Sequence, residues 1–312
     1  MKKRRAIVFG GSGFLGSHVA DALQDSGYQV SVFDVMKSSY LREGQEMVVG
    51  DILDQEAVCR AAKDCDVVYQ FAGMADIAEA HENPVRVASL NIMGTLHSLE
   101  AARINGARRF IFASTVYVFS DRGSFYRASK QSAERFVEAY RERYGLDYTI
   151  LRYGSLYGRR ADDRNFIHRM VHQALAEGKV RYQGTGQELR EYIHVTDAAR
   201  LSVEALNDAY ANQHLILTGV EKLKIEELFT MLREMLGGKL DFEFNKLDLP
   251  THYTITPYTF SPTIGRKMTS QNFTDVGQGL LDCLAEAHQK SSSHMYPSLD
   301  WLVDDDYREK GK

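Results

Sequence analysis

Three cysteines in a chain of 312 residues, Cys59, Cys65 and Cys283, are too few and too scattered for a disulfide framework or a zinc site. They read as reduced structural thiols, and no metal is expected. Charge of one sign is equally scarce. The formal net charge is −4 and the pI about 6.2, which advertises neither nucleic acid nor an anionic membrane as a partner. No apolar run reaches membrane-spanning length. Lys2-Lys3-Arg4-Arg5 followed by Ala6-Ile7-Val8-Phe9 imitates the start of a signal peptide, but glycines at 10, 11, 13 and 16 interrupt any apolar region, so the chain is expected in the cytoplasm. There are no internal repeats. The only tryptophan, Trp301, lies in a last stretch of 22 residues from Ser291 with a serine triplet and Asp304-Asp305-Asp306, for which the sequence leaves a loose tail and a partner-bound one equally open.

What the chain does have is size and alternation. With 44% hydrophobic and 26% charged residues it can bury a full α/β core and a smaller second lobe. Short apolar runs at 6–9, 29–33, 47–49, 67–71, 110–113 and 148–151 alternate with helical stretches. That order implies right-handed crossovers and a parallel sheet. Asn83-Pro84 reads as an N-cap with proline at the first helical position, opening a helix to about Arg103. After Leu151 the alternation lapses, and shorter elements near 156–190 and 213–285 suggest a discontinuous lobe over the carboxyl ends of the strands.

The first strand runs into Gly10-Gly11-Ser12-Gly13-Phe14-Leu15-Gly16, and the second ends on Asp34, 18 residues past Gly16. Glycines at this spacing allow a tight turn, close backbone approach to a pyrophosphate and close helix–strand packing, while an acid about 20 residues on can grip the ribose hydroxyls of a dinucleotide. Farther along, Tyr126 and Lys130 stand four apart at the start of a helical run, so they share one face. A tyrosine with the ordinary pKa of about 10 is a poor base at neutral pH, and a neighbouring ammonium favours its phenolate. Ala113-Ser114-Thr115 closes the strand beginning at Phe110 and points into the same crevice.

Gly10 to Gly16, Gly50-Asp51-Ile52, Phe71-Ala72-Gly73, Asn91-x-x-Gly94-Thr95, Tyr126-x-x-x-Lys130, Leu151-Arg152-Tyr153-Gly154 and Arg190-Glu191-Tyr192-Ile193-His194-Val195-x-Asp197 occur in one order. Together they resemble the extended short-chain dehydrogenase/reductases, the NAD-dependent nucleotide-sugar epimerase/dehydratase family, over about residues 5–285. The resemblance implies an α/β fold, a Rossmann-type doubly wound parallel sheet with a smaller discontinuous α/β substrate lobe. Residues 1–155 and about 191–212 would bind NAD, about 156–190 and 213–290 would form the nucleotide-sugar lobe, and 291–312 would be a tail. It implies that Thr115, Tyr126 and Lys130 are catalytic. Gly10, Gly13, Phe14, Leu15, Gly16, Asp34, Asp51, Ile52, Phe71, Ala72, Gly73, Asn91 and Tyr153 would line the cofactor with Tyr126 and Lys130, and Met74, Ser155, Asn165 and Arg190 would line the substrate. Alignment with the Phe-Ile-Phe-Ser-Ser-Ser strand of the 4-epimerases favours Thr115 over Ser114. The family also implies a homodimer through a four-helix bundle built from the helical runs 84–103 and 126–144.

The departures bear on the reaction. Family members that dehydrate the sugar place Asp-Glu directly after the threonine, because removing water from C5–C6 needs a further acid and base. Here Val116-Tyr117 stand there. Thr115 and Tyr126 are only 11 residues apart, with no proline before the tyrosine, and Ser155 replaces the asparagine common in the epimerases. The expected partner is a nucleotide-diphosphate sugar. A 4-epimerase, a 4-dehydrogenase or 4-ketoreductase, and an idle NAD-binding subunit all remain open, with the strand around Phe110 leaning to the first.

Overall fold

A computed structural model describes residues 4–219 and 222–245. The expected lobe beyond Asn245, Cys283, Trp301 and the tail from Ser291 lie outside the described residues.

Arg5–Phe9 (β1) is followed by Phe14–Asp25 (α1), Gln29–Asp34 (β2), Glu46–Val49 (β3), Gln55–Ala61 (α2) and Val67–Gln70 (β4). Then come Ile77–Glu82 (α3), Pro84–Ala88 (α4), a π-helical turn at Ser89–Met93, Gly94–Ile104 (α5), Arg109–Thr115 (β5) and Ser124–Tyr144 (α6). Tyr148–Tyr153 (β6), Ser155–Tyr157 (β7), Phe166–Glu177 (α7), Lys179–Gln183 (β8), Leu189–His194 (β9) and Val195–Glu204 (α8) follow. Gln213–Leu217 (β10), Lys222–Lys224 (β11), Ile225–Met235 (α9) and Asp241–Asn245 (β12) complete the described chain.

Seven strands form one sheet in the order β10-β6-β5-β4-β1-β2-β3, with every pair parallel. A parallel sheet covered on both faces needs continuous apolar strands rather than alternating ones. Ala6, Ile7, Val8 and Phe9 are fully buried accordingly. Val8 and Ala6 join Val19, Ala20 and Leu23 of α1 and Ala198 and Ala199 of α8 on one face. Ile7 and Phe9 join Leu99 and Ala102 of α5 and Ala133 and Val137 of α6 on the other.

The chain reverses its direction of build between β1 and β4. From β1 it winds one way to β2 and β3, then returns to β4 on the opposite side of β1. At such a switch point the loops diverge and leave a crevice. Here they converge again at one contact, for the amide of Phe71 donates to the carbonyl of Phe9 at 2.9 Å. Gly10, at φ +79°, is tight enough against the next loop that a Cβ would sit 2.5 Å from the Ala72 nitrogen.

The second lobe holds a three-stranded sheet, β11-β9-β7, and the pair β12-β8. Phe229 of α9 is fully buried among the rings of Phe166, Tyr182, Phe242 and Phe244. The division differs from the sequence expectation at 191–217. Gln213–Leu217 pairs with β6 and so extends the large sheet, although it was assigned to the lobe, while β9 pairs within the lobe. The reason is that β10 is a five-residue edge strand with only Leu217 buried, so its pattern is that of a lobe element.

The helical run from Pro84 also departs from expectation. Pro84 opens α4, but Asn83 does not cap it; its amide instead donates to the Glu79 carbonyl at 3.0 Å, closing off α3. The run is interrupted by the π turn before α5 carries on to Ile104.

Gly10→Ala is expected to lower stability by at least about 2 kcal/mol, since the new methyl meets backbone rather than a movable side chain at a left-handed residue. In thermal unfolding this appears as a Tm lower by roughly 5 °C or more, and an unchanged Tm would show that the two loops are not locked at this contact.

Candidate active site

The turn between β1 and α1 is built to receive something. Gly16 has no room for a Cβ, which would lie 2.2 Å from the Gly10 carbonyl oxygen, so it seats the helix on the turn. Gly13 differs: the Gly10 oxygen at 3.3 Å is the only neighbour within 4 Å of its would-be Cβ. A Cβ there would press on that backbone oxygen but meet no side chain, so the outer side of Gly13 is open to a ligand. Gly13 is also the N-cap residue of α1 and has no side chain to cap it, so Phe14, Leu15 and Gly16 open the helix with uncapped amides, as anion sites do.

Asp34 ends β2 beside this turn. Its Oδ2 accepts from the Ser12 amide at 3.1 Å and its Oδ1 from Met36 at 3.3 Å, while the Ser12 hydroxyl donates to the Met36 carbonyl at 2.8 Å. The carboxylate is thereby pinned at the rim of the crevice with lone pairs to spare. Of the two cations that could greet a 2′-phosphate, Lys37 and Arg42, Arg42 is instead paired with Asp25 at 2.9 Å. These features fit an NAD molecule with free ribose hydroxyls.

Asp51 is exposed and accepts from the Leu53 amide at 2.9 Å; with Leu53, Pro84 and Arg86 it lines an open groove of about 680 Å³. Ile52, by contrast, is 4% exposed and wedged beneath Gly94, so its side chain is core. Phe71, Ala72 and Gly73 form the loop leaving β4.

Asn91 sits in the π turn, buried, with its amide fully engaged. Oδ1 accepts from the Met74 amide at 2.8 Å, and Nδ2 donates to the Met74 carbonyl at 3.0 Å and to the Ser129 hydroxyl at 2.9 Å. The side chain assigned to the cofactor is therefore a clamp that fixes the loop after Gly73 to α6. Met74, assigned to the substrate, is buried and packs with Ile77, Val87 and Tyr126. Tyr153 also differs from its assignment: its hydroxyl lies 2.6 Å from that of Ser202 on α8, in the core. Burial and an apolar setting push its pKa well up.

α6, which carries Tyr126 and Lys130, packs against β5, whose last residue is Thr115. Lys130 donates from Nζ to the Ala113 carbonyl at 2.8 Å and lies 5.0 Å over the Phe112 ring. Burial lowers its pKa to about 8, and the charge of Glu134 opposes the fall. Tyr126 is 8% exposed, one turn before Lys130 on the same face. Thr115 is buried at the strand end and accepts from the Tyr117 amide at 3.2 Å. Ser114, the rejected alternative, points away and donates to Glu134 at 2.6 Å. Val116 is buried, and the ring of Tyr117 meets that of Tyr126 edge-on at 6.2 Å, so no carboxylate occupies these two positions.

Of the remaining candidates, Ser155 begins β7 opposite Tyr192. Asn165 caps α7, accepting from the His168 amide at 3.2 Å and donating to the Leu156 carbonyl at 2.8 Å, so its amide serves the fold. Arg190 is 8% exposed on β9 rather than a surface charge, and one of its nitrogens donates to the Leu189 carbonyl at 3.0 Å. Sequence reasoning passed over Glu134 and Arg152, a buried pair at 2.7 Å. A signal was present, since Glu134 follows Lys130 at the same four-residue interval by which Lys130 follows Tyr126. Among the described residues no group of three or more His, Cys, Asp or Glu could hold a metal ion, and no helix is long and apolar enough to cross a membrane.

Comparison with known proteins agrees with this fold. Residues 6–217 match the model of the NAD dependent epimerase/dehydratase family. A putative UDP-glucose 4-epimerase of Methanocaldococcus jannaschii is 28% identical, over 77% of this chain and 85% of its own length. A dTDP-glucose 4,6-dehydratase of Mycobacterium tuberculosis is 26% identical over 97% of this chain and 94% of its own. Among solved structures, the UDP-glucose 4-epimerase of Thermotoga maritima with UDP-glucose superposes with a TM-score of 0.75 at 26% identity, covering 82% of this chain and 90% of that one.

With Asp34 at the rim and Arg42 held by Asp25, NAD is expected to bind at least about tenfold more tightly than NADP. Titration of both cofactors by protein fluorescence or calorimetry checks this, and equal or tighter NADP binding would overturn the reading of Asp34.

Proposed function

The chain belongs to the NAD-dependent epimerase/dehydratase family, and from that premise we propose that it is a nucleotide-sugar 4-epimerase acting by transient oxidation at C4 of the sugar. The observation that carries the reading is the pairing of an intact Tyr126–Lys130 couple with two positions after Thr115 that hold valine and a packed tyrosine. The couple equips the site to remove one proton, and the missing acid pair leaves it without the groups that eliminating water across C5–C6 requires.

In this reading Tyr126, as phenolate, accepts the proton of the C4 hydroxyl. The Lys130 ammonium stabilises that phenolate, and Thr115 hydrogen-bonds the same sugar oxygen. NAD, when bound, supplies the acceptor and later the donor of the C4 hydride. The uncapped amides of Phe14 to Gly16 hold the pyrophosphate of the cofactor, Asp34 its adenosine ribose, and Asp51 borders the adenine. Arg190 on β9 is the cation offered to the diphosphate of the substrate, and Ser155 stands on the neighbouring strand β7, opposite Tyr192. Asn165 serves through the helix terminus it caps. For the epimer to form, the C4 ketone would have to present its other face within the site before Tyr126 returns the proton. Against an idle subunit stands the cost of burying Lys130 beside an aromatic ring, which an inactive fold has no reason to bear.

We also propose a twofold dimer. Val85, Met93, Phe125 and Phe136, on the helical runs expected to form a four-helix bundle, are 78%, 46%, 43% and 40% exposed. Large apolar side chains exposed on neighbouring helices favour association through that face.

Tyr126→Phe should lower turnover at least about 100-fold while NAD still binds, and Thr115→Ala should cost less. A Tyr126→Phe protein of near-normal turnover would sink the assignment. With nucleotide-sugar deuterated at C4, label retained at C4 of the epimer supports the epimerase. Label released to NADH or to an external acceptor would identify a 4-dehydrogenase or 4-ketoreductase, and a 4-keto-6-deoxy product would refute the argument from Val116 and Tyr117. Light scattering at micromolar concentration is expected to give twice the chain mass, and a monomer mass would refute the dimer.

A further inference from the structure

Behind Lys130, away from the crevice, lies a charged cluster that the proposed chemistry does not use. Glu134 is 2% exposed, and its carboxylate accepts three hydrogen bonds. Ser114 Oγ and Arg152 Nε reach Oε1 at 2.6 and 2.9 Å, and Arg152 Nη2 reaches Oε2 at 2.7 Å. Well-packed apolar groups usually hold a fold as well as a buried ion pair does, so stability alone gives little reason for this arrangement.

Its location gives a better one. Glu134 is one turn beyond Lys130 on the buried face of α6. Ser114 lies between Ala113, whose carbonyl receives the Lys130 ammonium, and Thr115, and it pairs directly with Arg152 across β5 and β6. Three consecutive residues of one strand are thus set by one helix face and the neighbouring strand. We propose that Glu134 is a positioning residue for the reaction: its carboxylate supplies the negative charge behind Lys130 and ties the Thr115 end of β5 to α6 and β6.

The groups facing this carboxylate can be named by element. From α6 come Lys130 and, one turn on, Glu138; from β6 comes Arg152, itself 4.6 Å over the Phe119 ring; from β5 comes only the neutral Ser114. From β10 comes His214, whose Nδ1 makes no hydrogen bond and lies 3.9 Å from Glu134 Oε2, while Nε2 lies 3.0 Å from Glu138. Burial lowers the pKa of His214, so it is neutral near pH 7 and, among the described residues, leaves Arg152 as the one standing cation on Glu134 from outside α6. Lys130 loses its proton near pH 8 because burial disfavours the ammonium, and the Glu134 charge resists that loss. Removing the charge must therefore move the titration of Lys130 to lower pH.

This inference rests on the role proposed for Lys130, so its test reads the ammonium itself as well as turnover. The full chain is labelled with lysine carrying 13C at Cε, and the Lys130 signal is identified by its loss in Lys130→Arg. The midpoint is expected near pH 8 in the unaltered protein. In Glu134→Gln it should fall by roughly one unit or more, the scale of one charge within about 10 Å at an effective dielectric near 20, and the alkaline limb of kcat should fall with it. Ser114→Ala, which removes a bond but no charge, should lower Tm and leave both midpoints in place. A Glu134→Gln protein with lower Tm and an unmoved midpoint would make Glu134 a structural bolt and overturn the proposal. Should that variant not fold, the midpoint is compared between Arg152→Gln and the double variant Arg152→Gln with Glu134→Gln, which differ only in the Glu134 charge; it must be lower in the double variant, and equal midpoints overturn the proposal. A moved midpoint with an unmoved kcat limb would fail the catalytic reading of Lys130 instead.

Discussion

Everything in the crevice depends on how closely the turn after β1 approaches the loop after β4. The approach is a backbone matter: Phe71 donates to Phe9, and Gly10 leaves no space for even a methyl group against Ala72. Because the two strands are neighbours from which the chain departs in opposite directions, the loops would otherwise part. Held together, they set the distance between the glycine turn and the segment Ala72 to Met74. That segment is in turn fastened by Asn91 to α6, so the helix carrying Tyr126 and Lys130 takes its position from the same contact. One steric constraint thereby aligns the glycine turn with a pair of side chains more than a hundred residues away.

The second determinant is the treatment of charge. An ammonium and a carboxylate are both buried on one face of α6, each with hydrogen-bond partners from β5. Burial alone would make Lys130 easier to deprotonate, and Glu134 restrains this. The result is a buried lysine that keeps its proton at neutral pH, with a pKa lowered only to about 8. Elsewhere the buried polar groups serve order. Asn91 spends its whole amide on Met74 and Ser129, and the Tyr153 hydroxyl is committed to Ser202.

Much of this was legible in the sequence, where the signal was local. The glycine turn, Asp34, the six apolar runs of the sheet and the Tyr126–Lys130 spacing all lie within windows that periodicity can read. The choice of Thr115 over Ser114 also has a geometric counterpart, because successive strand residues face opposite ways and Ser114 is turned to Glu134. What sequence could not display was direction within doubly buried strands. In β6 both faces are covered, so nothing in Tyr148 to Tyr153 says that the Tyr153 hydroxyl heads for α8 rather than the crevice. Asn83 was misjudged because α3 and α4 abut, and the amide had two helix ends to choose between. The Glu134–Arg152 pair joins residues 18 apart on different elements, a distance at which spacing carries little information.

The π-helical turn at Ser89–Met93 makes chain length itself a functional variable. One surplus residue in an α-helical run turns all that follows by about 100° around the axis. Upstream of Asn91, Val87 therefore packs among Met74 and Tyr126, while downstream Leu99 and Ala102 lie in the core beneath the sheet. The inserted residue acts as a gear that lets one continuous rod serve two partners whose faces are out of phase. Side chains along this rod can be exchanged without changing its phase, but a single-codon deletion upstream of Asn91 would rotate Asn91 off Met74 and release the loop beside the crevice. Natural variation in this segment should accordingly run through substitution and spare the residue count.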